Sequence, residues 1–277
     1  MANTFQVGDL EVLVLSDGVA KAPATIYYAG TTAKQWEPHK RWLDHQGDVE
    51  FPFGCFLIRS GDTRLLIDTG LGQLPLWSFH GGALLPELAE AGVQPEDIDV
   101  VFITHLHVDH CGSVVTEREG LLHPTFPNAA YRWTSEEAAF WRSEKSAGHA
   151  IQGTVSQKEI QDAIADRFQP ADDGAVLAPG ANVIATPGHT PGHAGVVLSS
   201  GDSRAFILGD AIGCPVQLEE PEWSGLGDMD PKLARRTQEA VLREIENDGS
   251  LLGASHFPGL TFGRVLSGEG RRYWQAL

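Results

Sequence analysis

Val100-Val101-Phe102-Ile103-Thr104-His105-Leu106-His107-Val108-Asp109-His110 decides how this chain is to be read. Four β-branched or aromatic residues in a row predict a buried strand. Three imidazoles and a carboxylate then follow within six residues. Such side chains can face one centre only where the backbone leaves the strand for an irregular loop or a helix start. That place is the C-terminal end of a strand, where α/β folds usually put their sites. Imidazole with carboxylate is the donor set of zinc and of first-row metals of similar softness. One such histidine could belong to an ordinary solvated loop, but four ligand-type residues together fit that reading poorly.

The pattern recurs. Val183-Ile184-Ala185 leads into Thr186-Pro187-Gly188-His189, and Phe206-Ile207-Leu208 leads through Gly209 to Asp210. Leu251-Leu252-Gly253-Ala254 leads through Ser255 to His256, and Leu65-Leu66-Ile67 ends in Asp68. Five apolar strands are thus expected to deliver a ligand-type residue to one edge of the sheet. Seven of these side chains are enough for two metals bridged by one carboxylate, with positions left open for water.

Outward from these motifs, further strands are expected over Leu10 to Ser16, Gly54 to Arg59 and Thr63 to Ile67, the last two joined by a hairpin at Ser60-Gly61-Asp62. Asp99 to Ile103, Asn182 to Ala185, Ala205 to Leu208 and Leu251 to Ala254 complete the set. Thr134 with Glu137, and Ser156 with Glu159, have the spacing of capping boxes and place two helix starts. Asp230-Pro231 opens a third helix, which Asn247-Asp248-Gly249 ends. Alternating strands and helices imply one layered α/β domain over residues 1–277. The segment 20–53 holds Tyr27, Tyr28, Trp36, Trp42, Phe51 and Phe53 with little periodicity, and is expected to be an irregular loop that covers substrate. The alternative is a loop whose aromatics pack onto the core.

Composition narrows the partners. Thirty-seven acidic against 20 basic residues give a net charge of −17, which repels phosphate backbones and anionic lipid. Nucleic acid and membrane are therefore not expected, and a neutral small molecule is. No apolar run approaches the roughly 20 residues needed to span a bilayer. The first residues show no secretory pattern, so a cytoplasmic location is the expectation. Cys55, Cys111 and Cys214 are too few and too scattered for a disulfide framework, and Cys111 reads as a packing residue. A homodimer is left open.

Taken in order, Asp68, HLHVDH at 105–110, PGHTPGH at 187–193, LGD at 208–210 and the late His256 resemble the metallo-β-lactamase superfamily. The resemblance covers nearly the whole chain and implies an αββα sandwich, two mixed sheets flanked by helices, with the metals at one rim. It implies that His105, His107 and His189 hold one ion, that Asp109, His110 and His256 hold the other, and that Asp210 bridges them. The ions are expected to be zinc, with Mn2+, Co2+ and Fe2+ as alternatives. Asp68 and His193 are expected beside the ligands, orienting them. His39, His45, His80, His123 and His149 are expected at the surface or on pocket walls.

The chemistry implied is hydrolysis by a metal-bridging hydroxide, with Asp109 and Asp210 as the catalytic carboxylates. Lactonases of the family usually carry a tyrosine three positions after the bridging aspartate, where this chain has Gly213; Tyr27 or Tyr28 is the candidate replacement. His256-Phe257-Pro258-Gly259-Leu260-Thr261-Phe262-Gly263 is similar to the ending of methyl parathion hydrolase-like enzymes. Small neutral esters or lactones are thus the expected substrates, with phosphotriesters as a side activity. Tyr27, Tyr28, Trp36 and Trp42 are expected to wall the substrate pocket. The alternatives are a β-lactamase, a thiolester hydrolase of the glyoxalase II type, and a mononuclear iron persulfide dioxygenase.

Overall fold

A computed structural model describes residues 3–74, 79–149, 151 and 154–277. The first sheet is built from β1 (Asn3–Val7), β2 (Leu10–Pro23), β3 (Asp48–Ser60), β4 (Thr63–Ile67) and β5 (Val100–Phe102). A separate hairpin, β6 (Val115–Arg118) and β7 (Leu121–Pro124), intervenes before β8 (Ala130–Arg132) closes that sheet beside β5. The second sheet takes β9 (Val176–Ala178), β10 (Ala181–Ala185), β11 (Ala194–Ser200), β12 (Ser203–Ile207), β13 (Leu251–Gly253), β14 (Gly263–Gly268) and β15 (Arg271–Ala276). Both sheets are mixed: β4, β5 and β8 run parallel, as do β12 and β13, while the other pairings are antiparallel.

Helices are α1 (Ala24–Tyr27), α2 (Ala33–Trp36), α3 (Leu84–Glu90), α4 (Val108–Cys111), α5 (Ser135–Arg142), α6 (Gln157–Ala163), α7 (Val216–Glu219) and α8 (Pro231–Asp248). Strand alternation sorts the residues between the layers, because successive side chains point to opposite faces. In β2, Val12 and Val14 meet Val196, Leu198 and Ile207 of the second sheet. Leu13 and Leu15 face the other way, toward Leu84 and Leu88 of α3 and Trp141 of α5. On the far side, Phe206 and Leu252 pack under Val241, Leu242 and Ile245 of α8. The result is the αββα sandwich.

All of the expected strands form, and their ends shift by one or two residues at most, except at the end of β2 and the start of β3. The larger difference lies in 20–53, which is not an irregular loop. Strand β2 runs on to Pro23, α1, α2 and a 3-10 turn over Glu37–Trp42 follow, and β3 begins at Asp48. Aromatic residues there lack a single period because each short element is only about one turn long, and because Tyr28, Trp36, Phe51 and Phe53 pack into a small core of their own. Strands β1, β6, β7, β8, β9, β11, β14 and β15 lie outside the expected set.

Ser156 and Glu159 form the full capping box, whereas Thr134 caps α5 but Glu137 turns inward. Asp230 caps α8 by accepting from Leu233 N at 3.0 Å, and Gly249 ends it at φ 68°. The Asp230 backbone donates to Gly188 O at 2.9 Å, which fastens the helix start to the loop that carries His189. Asp230→Ala should lower unfolding stability by about 1 kcal/mol, read as a shift in the urea midpoint at unchanged slope. An unchanged midpoint would show that this cap contributes nothing.

Candidate metal centre

The strands end where the residues must act. β4 stops at Asp68, β5 at the turn that carries His105 and His107, and α4 starts at once to present Asp109 and His110. β10, β12 and β13 of the opposite sheet bring His189, Asp210 and His256 to the same rim. The ligand edge is thus shared by two sheets, where the strand pattern alone suggested one. Gly209 allows the close approach: at φ 50°, a Cβ there would lie 2.8 Å from the Thr104 hydroxyl.

The seven side chains converge. His107 Nδ1 stands 3.0 Å from both His105 Nε2 and His189 Nε2. Asp210 Oδ1 lies 3.2 Å from His110 Nε2 and 3.1 Å from His256 Nε2, while Oδ2 lies 3.3 Å from His189 Nε2 and 3.9 Å from His105 Nε2. One carboxylate therefore turns one oxygen to each cluster. Asp109 Oδ2 completes the second group, 3.5 Å from His256 Nε2 and 3.8 Å from His110 Nε2. Three overlapping sets of potential ligands result: His105, His107 and His189; His105, His110 and Asp210; Asp109, His110 and His256.

Outer hydrogen bonds fix which nitrogen faces inward. Nδ1 of His110 donates to Asp68 Oδ2 at 2.8 Å, that of His189 to Asp228 Oδ1 at 3.0 Å, and that of His256 to Pro52 O at 2.7 Å. His105 Nδ1 donates to Thr104 Oγ1 at 3.1 Å, since that hydroxyl spends its own proton on Asp68. With the proton held outside, each Nε2 turns a lone pair inward. His193 differs, because both of its nitrogens are used: Nδ1 donates to Thr186 Oγ1 at 2.7 Å and Nε2 accepts from Asp210 N at 3.1 Å. It steadies the Asp210 backbone and offers no free donor atom.

These residues fit a pair of metal ions. Inward nitrogens at about 3 Å match the edge of a tetrahedron with metal–nitrogen bonds of about 2.0–2.1 Å. His110 Nε2 and Asp210 Oδ1 are buried, yet neither makes a hydrogen bond within the described residues. Burial and the neighbouring imidazoles push His105 and His107 well below the ordinary histidine range. For His110 and His256, burial acts the same way but is outweighed by Asp210 and its neighbouring carboxylates, so both rise. Burial would raise Asp210, yet His256 and His110 hold it well below the usual carboxylate range. A cation placed among these groups would replace protons that the site otherwise needs.

Asp68 is itself constrained. It is fully buried at φ 60°, an unfavourable backbone for a residue with a side chain, and it accepts from Thr104 N at 2.8 Å and Ser255 Oγ at 3.2 Å besides His110. Sequence reasoning reached Asp68 and His193 but not Asp228, Thr104 or Glu137. Nothing in Ser224-Gly225-Leu226-Gly227-Asp228 marks Asp228 from sequence, since its partner His189 is 39 residues away.

A cavity of about 400 Å³ opens onto the cluster. Its walls include Ala20, Ala22, Tyr27, Phe51, Phe53 and Phe79, with Ile26 and Leu226 exposed at 60% and 67%. Of the four aromatics expected there, Tyr27 alone lines it. Tyr28 and Trp36 are buried behind the wall, where Trp36 Nε1 donates to Thr31 Oγ1 at 3.0 Å. Trp42 donates to Glu219 Oε1 at 3.2 Å and packs against Trp274. Phe51 and Phe53, noted in the segment but not assigned to the wall, line it as well, where β3 alternation points them to one face, edge-on to His256 at 5.9 and 6.2 Å. His149 does line the cavity, and His45, His80 and His123 are exposed. His39 is instead buried between Glu219 and Glu220, at 3.1 and 3.2 Å.

Residues 55–256 match the family model of the metallo-beta-lactamase superfamily. The chain belongs to that superfamily. N-acyl homoserine lactonase AiiA of Bacillus thuringiensis subsp. kurstaki is 27% identical over 217 residues, covering 71% of this chain and 79% of its own. Among solved structures, a hydrolase of the beta lactamase superfamily, AbOPH, is 30% identical with a TM-score of 0.84, covering 100% of this chain and 97% of its own. AidC, a dizinc quorum-quenching lactonase in complex with a product, shares the fold at a TM-score of 0.86 and 24% identity, covering 100% of this chain and 97% of its own.

Within this superfamily frame, Asp210→Asn should take the metal count of purified protein well below that of the wild type and abolish hydrolysis. A neutral amide cannot present an anionic oxygen to each side. Elemental analysis checks it, and a variant that keeps its metal and turnover overturns the bridging role expected of Asp210.

Proposed function

We propose that this metallohydrolase opens N-acyl lactones and cleaves small neutral carboxylesters, with phosphotriesters as side substrates. The observation that carries this reading is the cavity: an apolar chamber, with Tyr27, Phe51, Phe53 and Phe79 on its walls, that ends on the imidazole and carboxylate cluster and is lined by no Lys or Arg among the described residues. The chain segments 75–78, 150 and 152–153 contain no basic residue either. A β-lactam or a glutathione thiolester brings a carboxylate that such walls leave unpaired beside Asp109, Asp210 and Asp228. An uncharged acyl group loses nothing there. The names of the lactonase relatives agree with this choice.

In this reading His105, His107 and His189 would hold one divalent ion, Asp109, His110 and His256 would hold the other, and Asp210 would serve both; zinc is the proposed metal. When bound, the ions supply a water that is nucleophilic near neutral pH and an electrophile for the substrate carbonyl. The protein's own residues do the rest. Asp109 is the ligand-type carboxylate most open to the cavity, with a side-chain exposure of 22% against 6% for Asp210, so it can take the proton from the attacking water and pass it to the leaving oxygen. Asp68 and Asp228 keep His110 and His189 in their inward tautomers. Phe51, Phe53 and Phe79 exclude water around the acyl group.

Tyr27 completes the arrangement as the hydroxyl that faces the reacting group. A Cβ at Gly213 would lie 3.3 Å from its oxygen, so the phenol reaches into the space a side chain at 213 would fill. Its hydroxyl has no hydrogen-bond partner among the described residues, and Phe51 and Tyr28 hold the ring at centroid distances of 4.2 and 4.9 Å. Burial, then the charges of Asp210, Asp228 and Asp109, push its pKa well above that of a free phenol, so it remains a donor.

Two measurements test this reading. Ring opening of N-hexanoyl homoserine lactone should exceed hydrolysis of a penicillin and of an S-acyl glutathione by at least about 100-fold in kcat/KM. A preference for either anionic substrate overturns the assignment. Tyr27→Phe should slow alkyl esters and lactones about 10- to 100-fold while slowing a 4-nitrophenyl ester far less, because a good leaving group needs no donated hydrogen bond. Equal losses on both esters would make Tyr27 a wall residue only.

A further inference from the structure

Glu137 is fully buried and forms no ion pair among the described residues, yet four donors surround its carboxylate. Oε1 accepts from Leu106 N at 2.8 Å and Trp141 Nε1 at 2.7 Å. Oε2 accepts from Thr190 Oγ1 at 2.7 Å and Gly192 N at 3.1 Å. The positions of these donors are what matter. Leu106 stands between His105 and His107; Thr190 follows His189, and Gly192 precedes His193. Trp141, held by the same oxygen, sets its ring edge-on to His107 at 5.8 Å.

We propose that Glu137 is the positioning residue of the three-histidine half of the centre, a single carboxylate that locks the 105–107 turn to the 189–193 loop. The inference rests on the two-ion reading above. Leu106, Trp141 and Gly192 contribute N–H groups that can only donate, so the ionised carboxylate is the form this pocket satisfies. Burial raises the pKa of Glu137, while the bonds from Leu106, Thr190, Trp141 and Gly192 act against that rise. The contact is built closely: a Cβ at Gly192 would fall 2.1 Å from Glu137 N, and Thr134 Oγ1 ties the same glycine's carbonyl at 2.6 Å.

Charge adds a second reason. His105, His107 and His189 are neutral donors, whereas the other half of the centre has Asp109 to itself. A dication on the histidine side would share Asp210 and gain a second carboxylate in Glu137, which is held by Leu106, adjacent to His105 and His107, and by Thr190, adjacent to His189.

Glu137→Gln keeps the shape but offers one acceptor oxygen and an NH2 group, which must then face at least one N–H donor. The expected result is an unequal loss: the three-histidine ion should leave about 10- to 100-fold faster to a chelator while its neighbour is retained. Loading with cobalt(II) tells the two apart by their visible absorption. Thr190→Val, which leaves the carboxylate in place and removes one donor, should show a smaller change of the same kind. The thermal midpoint of metal-free protein serves as control, since a purely structural role lowers it and weakens both ions together. Equal weakening of both ions in the two variants overturns the inference, as do two ions held as tightly as in the wild type. A wild-type count below two overturns the two-ion reading and this inference with it.

Discussion

Asp210 is buried among four imidazoles with no Lys or Arg paired to it among the described residues, and the rest of the site follows from that constraint. A buried carboxylate needs positive charge close by, and lone pairs converging at 3.0 Å repel one another unless a proton or a metal lies between them. Protons could supply that charge, as the raised His110 and His256 show, but they would have to occupy the inward nitrogens. The outer bonds to Asp68, Asp228, Pro52 O and Thr104 already commit the single proton of each neutral ring to the outside. A site built this way favours metal ions over protons.

Holding such an arrangement calls for a frame that does not relax. The ligand-type side chains arrive from the ends of strands in two facing sheets, and the layer of Val12, Val14, Val196 and Ile207 between those sheets fixes their separation. The irregular turns that carry the histidines are then tied to one another by buried side chains. Asp68 reaches Thr104, His110 and Ser255, which stand on three different segments, and tolerates a positive φ to do so. Rigid strands and polar ties thus share the work of keeping the inward atoms in place.

Ligand-type residues were legible in the sequence because each follows an apolar strand, and because five such endings in one chain are hard to assign to anything but a common centre. The αββα layering came through the resemblance those endings support. Less of the rest could be read. Strands β14 and β15 have half-exposed, charged faces, with Arg264, Arg271 and Arg272 among them, so no hydrophobic period announces them. Glu137 stood in a capping-box position, a local explanation that hid its long-range bonds to Leu106 and Gly192. Asp228 had no local signal at all.

The N-terminal aromatics show why composition alone does not separate cavity wall from core. Tyr27 and Tyr28 are neighbours in sequence, yet one borders the cavity and the other is fully buried. Tyr28, Trp36 and Trp223 pack at centroid distances of 4.8 to 6.2 Å into a brace behind the wall. That brace connects the segment before β3 with the loop that carries Asp228, the partner of His189. Shape of the chamber and orientation of His189 are therefore coupled through one aromatic cluster. Phe51 and Phe53 face His256 while Trp36 stands behind the wall against Tyr28 and Trp223, and Tyr27 links the two sets of rings through its contacts with Phe51 and Tyr28, so a change of shape on one side is felt on the other.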